Sequence, residues 1–539
     1  MQSYDYIVVG AGSSGCVVAS RLSENPRVRV LLIEAGASMD DFWVNTPAGM
    51  ARLFGSERFN WRFRTAPVDT LDGRQVQWDR GKGLGGSSAI NGMIYMRGQP
   101  EDYDRWARLG NPGWAWNEVL PYFMRSESNV RGAGPYHGEL GPLCVSDPTE
   151  VHPTARDFIT ACANVGIPRS DDLNAPPYPA VGIRQYTIRN GQRHSAYKAF
   201  VEPVRHRSNL DILSNAHVTR ILLEGQEASG VEVLHEGQRR AITARREVIL
   251  SAGAIASPQL LLLSGIGDAV QLRRHGIAVH SDLPGVGRNL QDHWYASFAW
   301  RCSSDSSVNH RLSGLRKYLE GARYVLTHGG YLALGAAPVT AYTRSEPGGP
   351  VDLQLSLNPM SFSATPSGEV AADRFPGISG SVVLLSPESR GHLELASADP
   401  LQPPVLHPNY FSDERDVRRH IAGLRQLRQI LQTSPLRERV SEEIKPGAHC
   451  ASDEQLFDYL KRFGGTGWHP VGTCKMGRDA AAVVDARLRV HGVRRLRVID
   501  ASVMPVIPTG NTNAPCIMIG EKGADMIRAD ALTARPLAA

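Results

Sequence analysis

Short apolar runs, separated by small and glycine-rich stretches, open the chain. Tyr6 to Val9 is the first such run, Gly10 to Gly15 forms a tight turn, and Cys16 to Leu22 continues as a helix of small residues. Val28 to Ile33 is a second apolar run, so the pattern predicts strand, helix and strand, a βαβ unit. A loop-rich stretch follows with its own glycine cluster at Gly81 to Gly86, and residues 151–209 are rich in Pro, Asn and Asp. Strand patterns return at Leu210 to Leu213, Val218 to Leu223, Gly230 to Leu234 and Glu247 to Leu250, the last leading into a helix from Ser257 to Leu263. From about Arg301 to Arg462 polar loops dominate a second lobe. There Val417, Ile421, Leu424 and Leu427 recur at helical spacing, and Arg418, Arg419, Arg425 and Arg428 read as a solvated face. Arg494 to Ile527 resumes strand and then helix. Two domains are expected, each assembled from separated segments.

The first turn carries chemistry. Gly10-Ala11-Gly12-Ser13-Ser14-Gly15 matches G-x-G-x-x-G, follows a strand, opens a helix, and is answered by Glu34 at the end of the next strand, 19 positions beyond Gly15. In such a unit Gly10 permits the turn, Gly12 lets backbone approach a pyrophosphate, and Gly15 allows close helix–strand packing. The helix N-terminus offers unpaired N–H groups to phosphate. Glu34 can accept hydrogen bonds from both ribose hydroxyls and would repel a 2′-phosphate. The other G-x-G, Gly285 to Leu290, lacks the third glycine and a preceding strand, and reads as a loop. One dinucleotide is expected, and the fingerprint alone does not separate FAD from NAD.

Composition narrows the classes. The 539 residues include 59 Lys and Arg against 54 Asp and Glu, a net charge of +5 that gives nucleic-acid binding no support. Seven cysteines without a C-x-x-C argue against a disulfide framework or a zinc ribbon. No H-E-x-x-H or clustered Cys/His set points to a metal, and no G-x-S-x-G points to a serine hydrolase. The N-terminus has no basic and apolar leader, and the run Leu260 to Leu263 is too short to cross a bilayer. A cytoplasmic chain is expected, with peripheral membrane association left open.

Later segments identify the cofactor. Gly81 to Gly92 reads GKGLGGSSAING, Ser251 to Gly267 reads SAGAIASPQLLLLSGIG, and Leu290 to His293 reads LQDH. Trp468 to Cys474 reads WHPVGTC, Asp500 to Ser502 reads DAS, and Gly510 to Pro515 reads GNTNAP. In this order they resemble the signature segments of the glucose–methanol–choline (GMC) oxidoreductases, FAD enzymes acting on alcohols. The resemblance runs from Tyr6 to about Ile527 and looks closest to the bacterial alcohol, choline and sorbose dehydrogenase-like branch.

The resemblance implies an α/β fold with a Rossmann-like FAD-binding domain from residues 1–150, 210–300 and 463–539. A second, α+β substrate-binding domain on an antiparallel sheet would take residues 151–209 and 301–462. FAD would lie along Gly10, Gly12, Ser13, Ser14, Gly15, Glu34 and Ala35, with Val218 holding the adenine through its backbone. Asp500 and Ala501 would meet the ribityl–pyrophosphate stretch. Gly85, Gly86 and Ser87, continuing through Asn91, Gly92, Met93 and Ile94, would pass the isoalloxazine, with Asn511 and Thr512 at its pyrimidine edge. Covalently flavinylated choline oxidases carry a histidine where this chain has Ile90, so the FAD is expected to be non-covalent.

Oxidising an alcohol requires loss of the hydroxyl proton and transfer of the α-hydride to flavin N5, and histidine suits the first task. His469 falls where the family places its base and Asn513 where it places a hydroxyl-orienting His or Asn. Asn511 competes for that role, because one gap shifts the match. Trp468 would give the substrate pocket an apolar wall. His293 is the next histidine in line, read as a loop-stabilising residue, and His137 and His194 have no site context. The expected reaction is oxidation of a primary alcohol to the aldehyde, with a quinone-like acceptor or oxygen taking the electrons. Choline would call for an aromatic cage with an acid, for which Tyr324, Tyr331, Tyr342 and Glu346 are on offer. A hydroxynitrile lyase, a photodecarboxylase and a non-enzymatic flavin protein are the other classes weighed.

Overall fold

The computed structural model describes residues 3–364 and 370–533. The expected βαβ unit is present as β1 (Ser3–Val9), α1 (Ser13–Leu22) and β2 (Val30–Ile33). β1 and β2 pair in parallel, Tyr6 opposite Val30 and Val9 opposite Ile33. Leu210–Leu213 adds to the far side of β2, and Gln238–Leu250 to the far side of β1, both in parallel. Parallel strands must have both faces covered, which is why the stretches that pair at the centre, Tyr6–Val9, Val30–Ile33 and Val248–Leu250, are apolar and buried. The antiparallel strands Glu227–His235 and Ala216–Glu224 extend the sheet, and Leu496–Val498 pairs with the end of Gln238–Leu250, giving seven strands.

The C-terminal helix Asn513–Thr533 closes this layer against α1. A side chain at Gly520 would come within 2.9 Å of the Ser14 carbonyl, so the helices cross at backbone contact. Arg21 pairs with the fully buried Glu521 at 2.8 Å across that crossing. The last helix is thereby tied to the turn at the start of the chain.

A second seven-stranded sheet is antiparallel along its main path. Its order runs Val440–Lys445, Trp294–Cys302, Gly377–Leu384, Leu353–Asn358, Val339–Thr343 and Ala180–Ile183. Helix Glu414–Leu431 covers one face with Leu424 and Leu427, and Gly423 lets it approach Val382 and Leu353. Of the four arginines expected on its solvated face, Arg418 and Arg425 are solvated, whereas Arg428 is drawn onto Glu443 at 2.7 Å and Arg419 onto Glu388 at 3.4 Å. The opposite face of the sheet looks into a cavity.

The domain boundaries shift accordingly. Residues 294–300, expected within the first domain's 210–300 segment, belong to Trp294–Cys302, a central strand of the second sheet, and Gly465–Thr466 also pairs with it. Conversely, Tyr197–Val201, expected in the substrate domain, packs on α1. Strand pairing and helix packing between distant segments decided these memberships, and no local pattern reports it. Among the described residues no helix is long and apolar enough to cross a membrane.

Candidate active site

A cavity of about 1260 Å³ runs from the fingerprint turn to the inner face of the second sheet. That exceeds the roughly 300–1,000 Å³ of a typical small-molecule pocket. Gly10, Gly12, Ser13, Ser14, Glu34 and Ala35 line one end, with Val218 beside them. Gly86, Ser87, Asn91, Gly92, Met93 and Ile94 line its middle, as do Asp500 and Ala501. Trp468, His469, Asn511, Thr512 and Asn513 also border it. Gly15 and Gly85 stand behind the wall. A Cβ on Gly15 would lie 1.9 Å from the Gly10 carbonyl, so its part is to let α1 pack, as expected.

The two glycine clusters build one cradle. Gly85 N–H donates to the Ala11 carbonyl at 2.8 Å, and a Cβ on Gly86 would lie 2.8 Å from Gly12 Cα. Glu34 staples the clusters, accepting from Ala11 N–H (3.0 Å), Gly36 N–H (2.9 Å) and Gly83 N–H (3.1 Å). Burial pushes its carboxyl up to about 7, and the N–H donors hold it back from rising further. Gly12 caps α1 without any side-chain hydrogen bond, so the first N–H groups of the helix remain for a phosphate.

Among the residues that support the cradle, Arg193 carries no local signal in the sequence. Arg193, 2% exposed, donates to the Asn91 carbonyl (2.6 Å) and Asn91 Oδ1 (2.9 Å), holding the second glycine turn, while burial lowers its guanidinium to about 9. Asp500 accepts from Gly253 N–H (2.9 Å), Ser257 Oγ (2.5 Å) and Ser502 Oγ (2.6 Å), joining the helix Gly253–Leu263 to the C-terminal segment. Ser13 Oγ donates to Asn513 Oδ1 at 2.7 Å, and Ser14 Oγ to the Cys516 carbonyl at 2.7 Å.

That last pair corrects one expectation. Asn513 is engaged by the fingerprint helix, whereas Asn511 Nδ2 lies 3.1 Å from His469 Nε2. Asn511 Oδ1 is buried without a partner among the described residues. The structure therefore brings Asn511, and not Asn513, to the histidine. His293 is also more than a loop stabiliser. It is fully buried, with Nδ1 at 2.9 Å from His469 Nδ1 and Nε2 at 3.0 Å from the Leu385 carbonyl.

These contacts assign protons. A carbonyl only accepts, so His293 carries its proton on Nε2 and offers a lone pair at Nδ1. His469 then donates from Nδ1, which leaves Nε2 unprotonated and facing Asn511. Burial, followed by the repulsion that a protonated His293 would exert and the charges of Arg80 and Arg184, holds His469 well below the usual imidazole range, and burial takes His293 down to about 4. Both rings are neutral at ordinary pH.

The loop bearing His469 is rigidly hung. Asp292 accepts from His469 N–H (2.7 Å) and Thr466 Oγ1 (2.5 Å), and also from the Tyr410 hydroxyl. Trp468 holds φ at +60°, a conformation costly for a bulky side chain. It is retained there by Nε1–H donation to Asp79 (3.1 Å), stacking on Phe54 at 5.1 Å, and donation from Arg80 to its carbonyl. The expected apolar wall at Trp468 is thus a strained, anchored ring beside His469.

The residues present fit a flavin dinucleotide. One continuous cavity joins an uncapped helix N-terminus, a buried ribose-type carboxylate and an orphaned buried acceptor at Asn511. Comparison with known proteins agrees. The GMC oxidoreductase models match residues 4–295 and 387–520. The chain is 40% identical to an alcohol dehydrogenase [acceptor] of Pseudomonas putida, over 97% of this chain and 95% of that protein. It is likewise 40% identical to the mitochondrial choline dehydrogenase of Mus musculus, over 97% of this chain and 89% of that one. A structure of an Aspergillus oryzae formate oxidase, described in terms of its FAD, superposes with a TM-score of 0.92 at 29% identity, covering 99% of each chain. The chain belongs to the GMC oxidoreductase family and is a flavin-dependent oxidoreductase whose cofactor is FAD.

Proposed function

We propose that this chain oxidises a primary alcohol to the aldehyde, with His469 Nε2 accepting the hydroxyl proton. The observation that carries this reading is the proton arrangement just described: a neutral histidine whose basic nitrogen faces the cavity side chain Asn511. Bound FAD supplies the acceptor for the hydride that leaves the alcohol carbon. An entering hydroxyl takes the place of Asn511 Nδ2 on His469, and Asn511 turns its N–H to the alcohol oxygen. His469 then holds the proton, with its Nδ1–H still donated to His293. Trp468 and the sheet face exclude water around the carbon.

The FAD is held without a covalent link in this reading. Ile90 is buried in a cluster with Met39, Leu53 and Phe59, and offers no nucleophile. The Pseudomonas putida relative is named for an acceptor, and in this reading the electrons pass to a quinone-like molecule or to oxygen. Choline is the second reading, favoured by relatives such as the mouse enzyme. Its four cage candidates do not converge: Tyr331 lines the cavity, Tyr324 and Tyr342 are packed away from it, and Glu346 is exposed.

Anaerobic addition of primary alcohols to the holoenzyme tests the proposal. Bleaching of the visible flavin band is the expected result. Cyanohydrin cleavage without bleaching would replace the reading with a lyase.

A further inference from the structure

The part of the cavity beyond Trp468 and His469 is walled by the second sheet, and one side chain there has so far only the effect of its charge on His469. Arg184 follows the edge strand Ala180–Ile183 and lines the cavity while being only 3% exposed. Its Nη2 donates to Ser356 Oγ at 2.9 Å and its Nη1 to the Ala337 carbonyl at 3.2 Å. Nε has no partner. Among the described residues no carboxylate lies within ion-pairing reach of this guanidinium.

The other deeply buried arginines show how unusual this is. Arg97 is paired with Glu127 at 2.6 Å, and Arg497 with Glu247 and Asp530, each at 2.6 Å. Arg193 also lacks an acid and leaves its Nη2 without a partner, but it does not line the cavity and turns its other nitrogens to the Val44 and Asn91 carbonyls and to Asn91 Oδ1. Arg80 lies beside Asp79 and Asp292. Arg184 alone among these combines cavity lining with two neutral acceptors and no anion nearby. Guanidinium does not lose its proton in proteins, so burial cannot be relieved by neutralisation. What remains is an anion brought by a ligand.

The surrounding sheet suits a polar guest. Ser297, Ser381 and Ser356 are direct cross-strand neighbours on three adjacent strands, and all three line the cavity. Thr340 continues the row on the next strand and contacts Ser356 Oγ at 3.0 Å. A rung of hydroxyls ending at an uncompensated guanidinium is a poor wall for a plain hydrocarbon chain.

We infer that Arg184 binds a carboxylate on the substrate, so that the preferred alcohols are hydroxy acids whose acid group meets Arg184 while the hydroxyl meets His469. This rests on the alcohol-oxidation reading. The carboxylate is not changed by the reaction: the carbinol carbon gives up a hydride to the cofactor, the hydroxyl gives its proton to His469, and an aldehyde acid leaves. A quaternary ammonium alcohol meets a like charge instead.

The test uses the holoenzyme under anaerobic conditions and a matched series: 4-(hydroxymethyl)benzoate, its methyl ester, and the 4-trimethylammonium analogue. A charge-assisted contact of this kind predicts a kcat/KM for the acid about ten- to hundredfold above the ester, expressed mainly in KM, with the cation poorest. Arg184→Gln should collapse that ratio and Arg184→Lys should keep part of it, with melting temperature and bound FAD recorded for each. A wild-type preference for ester or cation overturns the inference, as does an Arg184→Gln variant that loses acid and ester equally. Terephthalate binding, read from perturbation of the visible flavin band, separates the two readings. If no alcohol bleaches the flavin yet terephthalate binds in an Arg184-dependent way, the carboxylate site stands and alcohol oxidation falls. Binding indifferent to Arg184→Gln removes the site.

Discussion

His293 and His469 meet through their Nδ1 atoms at 2.9 Å, and this contact determines which nitrogen of His469 is basic. His293→Phe deletes the acceptor for the His469 Nδ1 proton, so the ring is free to take the wrong tautomer. Flavin reduction by alcohol should slow by roughly 10- to 100-fold, with FAD content unchanged. His293→Asn, which restores an acceptor, should recover part of the rate. Stopped-flow reduction at saturating alcohol measures both, and an unchanged rate in His293→Phe would remove this histidine from the mechanism.

His469 also sets a pH expectation. Its proton affinity is held well below the usual imidazole range by burial and by neighbouring positive charge. Catalysis needs the neutral ring, so the reductive rate should stay level as pH falls from 8 and decline only below the ordinary imidazole value of about 6.5. His469→Ala should retain FAD and lose the reaction. A rate that already halves near pH 7 in the wild-type enzyme would contradict the assigned environment.

The two asparagines should part company. Asn511→Ala removes the group 3.1 Å from His469 and should reduce flavin reduction by about 100-fold with little change in melting. Asn513→Ala removes the acceptor of the Ser13 hydroxyl and should cost about 1 kcal/mol of stability, with a smaller kinetic effect. Reversal of these two patterns would restore the original assignment to Asn513.

The fingerprint glycines make a similar contrast. A Cβ at Gly15 would lie 1.9 Å from a backbone oxygen, so Gly15→Ala should destabilise even the cofactor-free chain, by about 2–3 kcal/mol. At Gly12 the nearest atom outside the turn is 3.9 Å away. Gly12→Ala should leave the melting of the cofactor-free chain nearly unchanged and weaken FAD binding. Equal effects on both measurements would mean the cavity at Gly12 is not where the cofactor passes.

Away from the active site, His137 predicts a pH-dependent contribution to stability. Burial opposes its charge, yet hydrogen bonds to Asp172 and Glu127, both at 2.8 Å, carry the ring up to about 8. Its folded value exceeds the unfolded one, so the stabilisation is complete below about pH 6.5 and lost as pH rises through about 8. Melting curves of wild type and His137→Phe should differ most at pH 6 and converge by pH 9.

The sequence by itself determined the elements whose signal is local. The βαβ unit, the strands from Leu210 to Leu250 and the helix Glu414–Leu431 follow from apolar periodicity and turn residues, because burial of one face is written every two or every three to four positions. The glycine clusters and Glu34 were legible for the same reason: a backbone that must approach a phosphate needs glycine at fixed spacing. What only the tertiary structure decided depends on residues distant along the chain, from 42 positions for His469 and Asn511 to 500 for Ser13 and Asn513. Asn511 and Asn513 are near-identical in sequence context, and only the approach of His469 on one side and Ser13 on the other separates them. Trp294–Cys302 reads as a strand in any sheet until its partners are known. The meaning of Arg184 and His293 likewise lies in what surrounds them, since charge compensation and proton direction belong to a contact and not to a residue.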